Sequence, residues 1–344
     1  MHMADALISP TVGGIMWAAS AGLTAYAAKK VHDDADENKI PLMGVLGAAV
    51  FAAQMINFTI PGTGSSGHLG GGLILASLLG PYAGFLVMAS ILTVQALFFG
   101  DGGLLALGCN IFNLGFYTCF IAYPLIFKPL TKHKFTPGRI FLGSTLAAII
   151  GLQLGAFSVV MQTVFSGISD LPFGTFVILM QPIHLAIGIV EGLVTTAAVT
   201  YVWKARPQII EKTAQGKSYG SISVKKVAVA FTLFAVITGG VFSWFASTNP
   251  DGLEWAMFHT SGKEELESAD GISQYLAAIQ EKTAFLPDYG FKGIEGAEES
   301  PAEAEEAWPA DKVGTSVAGL VGGILTLGIA VIIGFGLRFV KKFA

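Results

Sequence analysis

Charge is what this sequence has least of. Lys, Arg, Asp and Glu make up 13% of its 344 residues, about half the roughly 25% of soluble domains. That excludes an ordinary water-soluble domain. Cysteine is nearly missing too. Cys109 and Cys119 stand ten apart in one apolar run, where they read as small hydrophobes rather than a disulfide. No basic residue precedes Lys29, so MHMADALISP lacks the basic n-region of a leader peptide. No convincing internal repeat, a frequent mark of secondary transporters, runs along the chain. The phosphate-binding lysine is also missing. Gly62–Gly67 has the two glycines of G-x-x-x-x-G-K-[ST], but His68 and Leu69 follow in place of Lys and Ser/Thr. The segment follows an apolar helix rather than a strand, so ATP hydrolysis by this chain is excluded.

Apolar sequence fills the space that charge leaves. Hydrophobic residues reach 53%, with 25 phenylalanines and 43 glycines, and Gly is more frequent in transmembrane helices than in soluble ones. The chain reads as an all-α integral membrane protein. Runs near the roughly 20 residues that cross a bilayer predict helices at 8–29, 41–59, 69–80, 82–99, 103–127, 139–166, 174–203, 226–246 and 314–340. The third is too short to cross alone. This gives about seven transmembrane helices in residues 1–205, a polar linker at 206–224, and two further helices in 225–344 flanking a long loop at 247–312.

The basic residues sort to one side. Sixteen of the 20 lie in 29–39, 128–139, 204–226 and 338–342, whereas loop 247–312 carries four lysines against 15 acids. The positive-inside rule then puts the N-terminus outside and the C-terminus in the cytoplasm. The acidic, Ala/Pro-rich stretch from Glu295 to Asp311 reads as a solvated, flexible segment.

Of six histidines, His32 and His133 fall in basic inner loops and His259 in the outer loop, where a polar surface needs no special role. His2 and His68 both fall outside, next to helix ends, and His68 sits in PGTGSSGHLGGG, where backbone can approach another object closely. With Met1 retained, its amine, the His2 backbone nitrogen and the His2 imidazole Nδ1 close two fused chelate rings. One further imidazole, that of His68, completes a plane of four nitrogens, a set that suits Ni(II) or Cu(II). A helix-end histidine with no ligand role is the plain alternative.

The residues also resemble a family. MHMADALISP, FTIPGTGSSGHLGGG, VQALFFGDGGLLALGCNIFNLG and QPIHLAIGIVEGLVTTA resemble the CbiM/NikM family, the substrate-binding (S) component of energy-coupling-factor (ECF) nickel and cobalt importers. SWFASTNPDGLEWA and its flanking helices are similar to the small NikN/CbiN-like accessory subunit of PDGLE type, here fused in cis. The resemblance implies an S-component fold and Ni²⁺, or Co²⁺, as transported substrate. It assigns metal ligation to Met1, His2 and His68. It implies a transmembrane coupling (T) subunit and cytoplasmic ATPase subunits as partners, a plasma-membrane location, and neither catalysis nor nucleic-acid binding by this chain.

Three polar residues stay open. Asp101, at an outer helix mouth, either caps the next helix or orders the loops over the site. His184 and Glu191 share a helix face; they form either a buried hydrogen-bond pair at a close helix contact or a cation path. The rival functions are a secondary divalent-cation permease using His184 and Glu191, and a metal sensor without transport. The four-residue spacing of Gly44, Ala48 and Ala52, or the Ala18/Gly22 row, offers a small-residue face for a coupling subunit or for internal packing.

Overall fold

A computed structural model of the chain describes residues 2–34, 36–132, 134–169, 171–262, 271–291 and 313–343. It is almost entirely helical. The long helices are α1 (Pro10–Asp34), α2 (Lys39–Gln54), α4 (Pro81–Val94), α7 (Pro137–Ser166), α8 (Phe173–Ala205), α10 (Lys225–Gly240) and α13 (Val313–Phe343). A π-helical turn, Gln95–Phe99, extends α4. A segment running from α5 (Leu107–Ile111) through π-helical Phe112–Phe127 to α6 (Lys128–Thr131) completes the bundle. Among the described residues, five helical segments are long and apolar enough to cross a membrane: 81–99, 107–131, 137–166, 173–205 and 313–339. The shorter α2 and α10 lie within the expected spans but have 16 residues each.

The third apolar run is short for a physical reason. Only Gly72–Leu79 is helical (α3), about 12 Å at 1.5 Å per residue. The preceding stretch forms a small antiparallel hairpin, β1 (Phe58–Ile60) against β2 (Ser65–Gly67), and then an irregular glycine run. Irregular backbone among apolar helices must have its polar groups satisfied. Here Glu191 accepts from the N–H groups of Gly70 and Gly71 at 2.7 and 3.1 Å, and Gln54 Nε2 donates to Gly70 O at 2.8 Å. A carboxylate at the first turn of α3 also meets the positive end of the helix dipole. Gly71 has φ +78°, and a Cβ there would stand 2.3 Å from Val50, so this position demands glycine.

The C-terminal part is not an appendage on a flexible tether. Helices α10 and α13 lie along α2. Two glycines, Gly239 and Gly319, bring α10 and α13 together, a Cβ on Gly319 falling 2.5 Å from Gly239 O. The Gly44, Ala48 and Ala52 face of α2 is covered from within the chain. A Cβ on Gly44 would stand 2.7 Å from Val331, and Gly323 packs on Ala48. A coupling subunit therefore cannot use that face without displacing α13. The α1 row stays open: Gly14, Ala18 and Gly22 are exposed.

The described parts of the long loop after α10 contain α11 (Gly252–Ser261), α12 (Gly271–Thr283) and a 3-10 turn at Pro287–Tyr289. Asp251 caps α11, accepting from Leu253 N and Glu254 N, and Asp251 N donates to the Glu254 carboxylate in return. The acidic stretch from Glu295 to Asp311 lies outside the described residues, as do Met1 and His133.

The tightest of these contacts gives a direct test of the packing. A Cβ on Gly322 would fall 2.0 Å from the Phe51 ring. Gly322→Val should lower stability by about 1–3 kcal/mol through overpacking, measured as a drop in thermal midpoint of the detergent-solubilised protein.

Candidate metal-binding site

The N-terminal segment is held by asparagines and glycines rather than by charge. Met3 N donates to Asn110 Oδ1 at 2.8 Å, and Asn110 Nδ2 returns a bond to Met3 O at 3.2 Å. Gly103 N also donates to Met3 O, at 2.9 Å. Asp5, itself buried, accepts from Ala106 N at 3.0 Å. The 102–103 backbone must lie flat to permit this. A Cβ on Gly103 would overlap the Asp5 carboxylate, and one on Gly102, at φ +79°, would press on Asn110 and His2.

This docking carries His2 to His68. Their rings stack with centroids 5.0 Å apart and planes 15° from parallel. His2 Nδ1 faces Asp101 Oδ1 at 3.2 Å, and His68 Nδ1 donates to Leu69 O at 3.0 Å. His68 therefore keeps its lone pair on Nε2. Among the described residues neither buried Nε2 atom has a hydrogen-bond partner. Burial lowers the His2 pKa, against the raising effect of Asp101, and burial above all takes His68 down to about 3. At neutral pH both rings are uncharged, as metal ligation requires.

Asp101 does not cap the next helix. Its carboxylate bridges two parts of the molecule. One oxygen faces His2, and the other accepts from the Tyr289 hydroxyl at 2.5 Å. Tyr289 belongs to the folded loop after α10, stacks on Phe99 with centroids 5.1 Å apart, and holds a left-handed backbone at φ 60°. A bulky residue there is strained and must be held by its surroundings. The same loop grips both site-bearing segments. Gln280 Nε2 donates to Ala96 O and Gly102 O at 2.9 and 2.6 Å. On the other side, Ser66 N and Ser66 Oγ donate to Pro250 O and Asn249 O, each at 2.8 Å.

A polar cavity of about 310 Å³ opens at this point, lined by His2, His68, Asp101, Asp251, Glu254 and Tyr289 among others. Among the described residues, no three His, Cys, Asp or Glu side chains stand ready as a metal cage. A chelate that uses main-chain nitrogens does not need one. Met1 belongs to the proposed ligand set but lies outside the described residues.

The remaining candidates separate. His184 Nδ1 donates to Met180 O at 2.8 Å, whereas Glu191 serves the glycine run. No hydrogen bond joins His184 to Glu191 among the described residues, so the expected pair does not form. His259 Nδ1 donates to Trp255 O on an exposed part of α11. Sequence reasoning missed Asn110, Gln54 and Tyr289. The first two were detectable as carboxamides inside otherwise apolar runs, which have to be bonded when buried. Tyr289 gave no local signal, because its partner lies 188 residues away.

The histidine pKa shifts fix a pH dependence. A pKa of about 3 in the fold, against about 6.5 in the unfolded chain, means that the unfolded chain binds more protons between those values. Stability therefore rises with pH from about 3 to about 6.5 and is flat above. Melting curves of the chelator-treated protein across this range should show the rise. His68→Gln should reduce the rise, His2 retaining its own share.

The family model for the cobalt uptake substrate-specific transmembrane region, CbiM, matches residues 2–209, and the PDGLE domain model matches residues 225–339. A protein of Archaeoglobus fulgidus named as a fused nickel transport protein, NikMN, is 30% identical over 339 residues, covering 96% of both chains. A metal transport protein of Haloquadratum walsbyi is 37% identical over 210 residues, 61% of this chain and 93% of its own. A crystal structure of a transition metal transporter, 30% identical, superposes with a TM-score of 0.54 over 62% of this chain and 97% of the other. With a family model matched over more than half its length and a relative aligned from end to end, this chain belongs to the CbiM family and carries a PDGLE domain in the same polypeptide.

Proposed function

We propose that the chain captures Ni²⁺, or Co²⁺, outside the cell membrane as the substrate-binding component of an ATP-driven ECF-type importer. The observation that carries this reading is the stacking of two buried, neutral imidazoles, His2 on the N-terminal segment and His68 with its Nε2 unpartnered among the described residues. The fused relative of Archaeoglobus fulgidus, named for nickel transport, supports the same cargo. In the proposed site the Met1 amine, the His2 amide nitrogen and His2 Nδ1 chelate the ion, and His68 Nε2 fills the fourth planar position. To enter that chelate, the His2 imidazole exchanges its contact with Asp101 for the metal, with any proton on Nδ1 moving to Nε2. Binding releases protons from the ligands, so affinity falls as pH falls. A planar site with an amide nitrogen favours Ni²⁺ over Co²⁺, because low-spin d⁸ gains most from that geometry.

A T subunit and cytoplasmic ATPases then drive delivery inward. The exposed Gly14, Ala18 and Gly22 row on α1 is the face we assign to coupling, since α13 covers the corresponding face of α2. The positive-inside pattern places His2 and the folded loop outside and the C-terminus in the cytoplasm. In this arrangement Tyr289 is how the fused accessory part acts on loading, by setting the carboxylate that holds His2.

One additional residue ahead of Met1 moves His2 out of the chelate. That variant should lose high-affinity Ni²⁺ binding and the visible band of square-planar Ni²⁺. His68→Ala should weaken binding less, because three planar donors remain. Unchanged affinity in the extended chain overturns the site. Tyr289→Phe removes one hydrogen bond to a carboxylate, worth about 1.5 kcal/mol, and should lower the thermal midpoint of the metal-free protein by that much stability.

A further inference from the structure

We infer that the opposite end of the bundle binds a phosphate group, in a cavity lined by Lys30, Lys128, Tyr123 and the first turn of α4. The inference is independent of the metal reading. It stands on a separate cavity and on side chains that the metal site does not use.

The 25 residues of α1 run about 37 Å from the His2 end to Asp34. At that far end lies a cavity of about 380 Å³, within the roughly 300–1,000 Å³ of small-ligand sites. Its charge is unbalanced. Lys30, Lys39 and Lys128 line it with one carboxylate, Asp34. That carboxylate is spent, since Asp34 Oδ2 lies 2.6 Å from Lys39 Nζ. Asp36, nearby in sequence, accepts from Asn38 N and Tyr219 N. Lys30 stands over the Tyr26 ring, 5.6 Å from its centroid. Among the described residues neither Lys30 nor Lys128 has an ion-pair partner.

Two further groups add donors to this wall. The first is the start of α4. Pro81 has no N–H, and the first intrahelical bond is Gly84 N to Gly80 O at 2.9 Å. The N–H groups of Tyr82 and Ala83 therefore precede the helical ladder, and no side chain caps them. Both residues line the cavity, where the positive end of the helix dipole favours an anion. The second is Tyr123. It is 2% exposed, its ring stacks on Phe127 with centroids 5.8 Å apart, and it lines the same cavity. Its hydroxyl has no hydrogen-bond partner among the described residues, yet it is not one of the oxygens sealed in the core. A buried hydroxyl kept free at a cavity wall calls for a ligand or water.

Together these groups present ammoniums, a hydroxyl and backbone N–H groups from three elements, with the one carboxylate already paired. A group with several oxygens and negative charge meets all of them. Phosphate has that form, and Lys and helix N-termini are its usual partners. The positive-inside pattern puts this end at the cytoplasmic membrane edge, where basic pockets between helices take anionic lipid headgroups. A free phosphate offers the same chemistry from solution.

The test uses the full chain in detergent, with phosphatidic acid, phosphatidylcholine and inorganic phosphate as probes. In native mass spectrometry the chain should retain a single phosphatidic acid and release phosphatidylcholine, whose headgroup carries its own ammonium. Tyr123→Phe and Lys128→Gln should each weaken retention about tenfold, the loss expected for a hydrogen bond to a charged group. Tyr123→Phe should leave the thermal midpoint of the lipid-free protein unchanged, because that hydroxyl bonds nothing in the fold. Lys225→Gln, outside the cavity, should retain the lipid fully. Calorimetry with inorganic phosphate separates the sources. Phosphate binding weakened by the same two substitutions assigns a soluble ligand, and retention of the lipid alone assigns the bilayer; both support the site. Equal retention in Tyr123→Phe, Lys128→Gln and the unsubstituted chain overturns it. A loss shared equally by Lys225→Gln also overturns it, as the diffuse attraction of a basic surface. Binding of neither probe overturns it too, and leaves an acidic segment of a partner chain as the occupant. Should Lys128→Gln fail to fold, Lys30→Gln, at an exposed position of α1, takes its place with the same expected loss.

Discussion

The Glu191 carboxylate, accepting from Gly70 N and Gly71 N, is the contact on which the site depends. A glycine run cannot be left among apolar helices with its amides unpaired, since each costs free energy comparable to a lost hydrogen bond. Two of those amides share one side chain, and Gln54 takes the carbonyl between them. The run is thereby pinned to α8 and α2 at once. His68, two residues upstream of Gly70, has its position set by that pin, and α3 begins directly after it. A continuous helix in place of the loop would satisfy its own backbone groups, but would not present His68 from an irregular loop. The short third helix is the structural consequence of placing an irregular, histidine-bearing loop inside the bundle.

The second constraint is that the site is assembled from three distant pieces of chain. His2 arrives on a segment docked by Asn110 and Gly103, His68 on the pinned loop, and Asp101 on the turn between α4 and α5. Asp101 converts this into one unit with the C-terminal part, because one oxygen meets His2 and the other meets Tyr289. Covalent fusion fits this arrangement. The Tyr289 loop also binds backbone carbonyls at Ala96, Phe98 and Gly102, none of which depends on the identity of a side chain. The clamp therefore recognises the shape of the turn, while Tyr289 reaches the carboxylate that faces His2.

Much of this was legible in the sequence, for definable reasons. Low charge and long apolar runs mark helices in a membrane whatever their partners, and a histidine beside a free amine is chelate chemistry independent of the fold. The small-residue face of α2 was legible as a contact, but the sequence does not say with what; α13, about 280 residues away, takes it. His184 and Glu191 were legible as costly buried groups. Their shared helix face suggested a pair, yet the glycine loop inserted beside them and took Glu191 for its own amides. Spacing along one helix reports which side chains share a side. It cannot report which group from elsewhere will pay the larger desolvation penalty if left unbonded, and backbone amides of a buried loop outrank a histidine that has a carbonyl one turn back.

That competition accounts for why His184 keeps a free lone pair. Had Glu191 accepted from it, the imidazole would have its proton on Nε2 and no ligand atom to offer. With Glu191 committed to Gly70 and Gly71, His184 turns Nδ1 to Met180 O, and its Nε2 has no hydrogen-bond partner among the described residues. The loop that brings His68 into the bundle is thus the same loop that sets the tautomer of His184. Loop position and imidazole tautomer follow from one carboxylate.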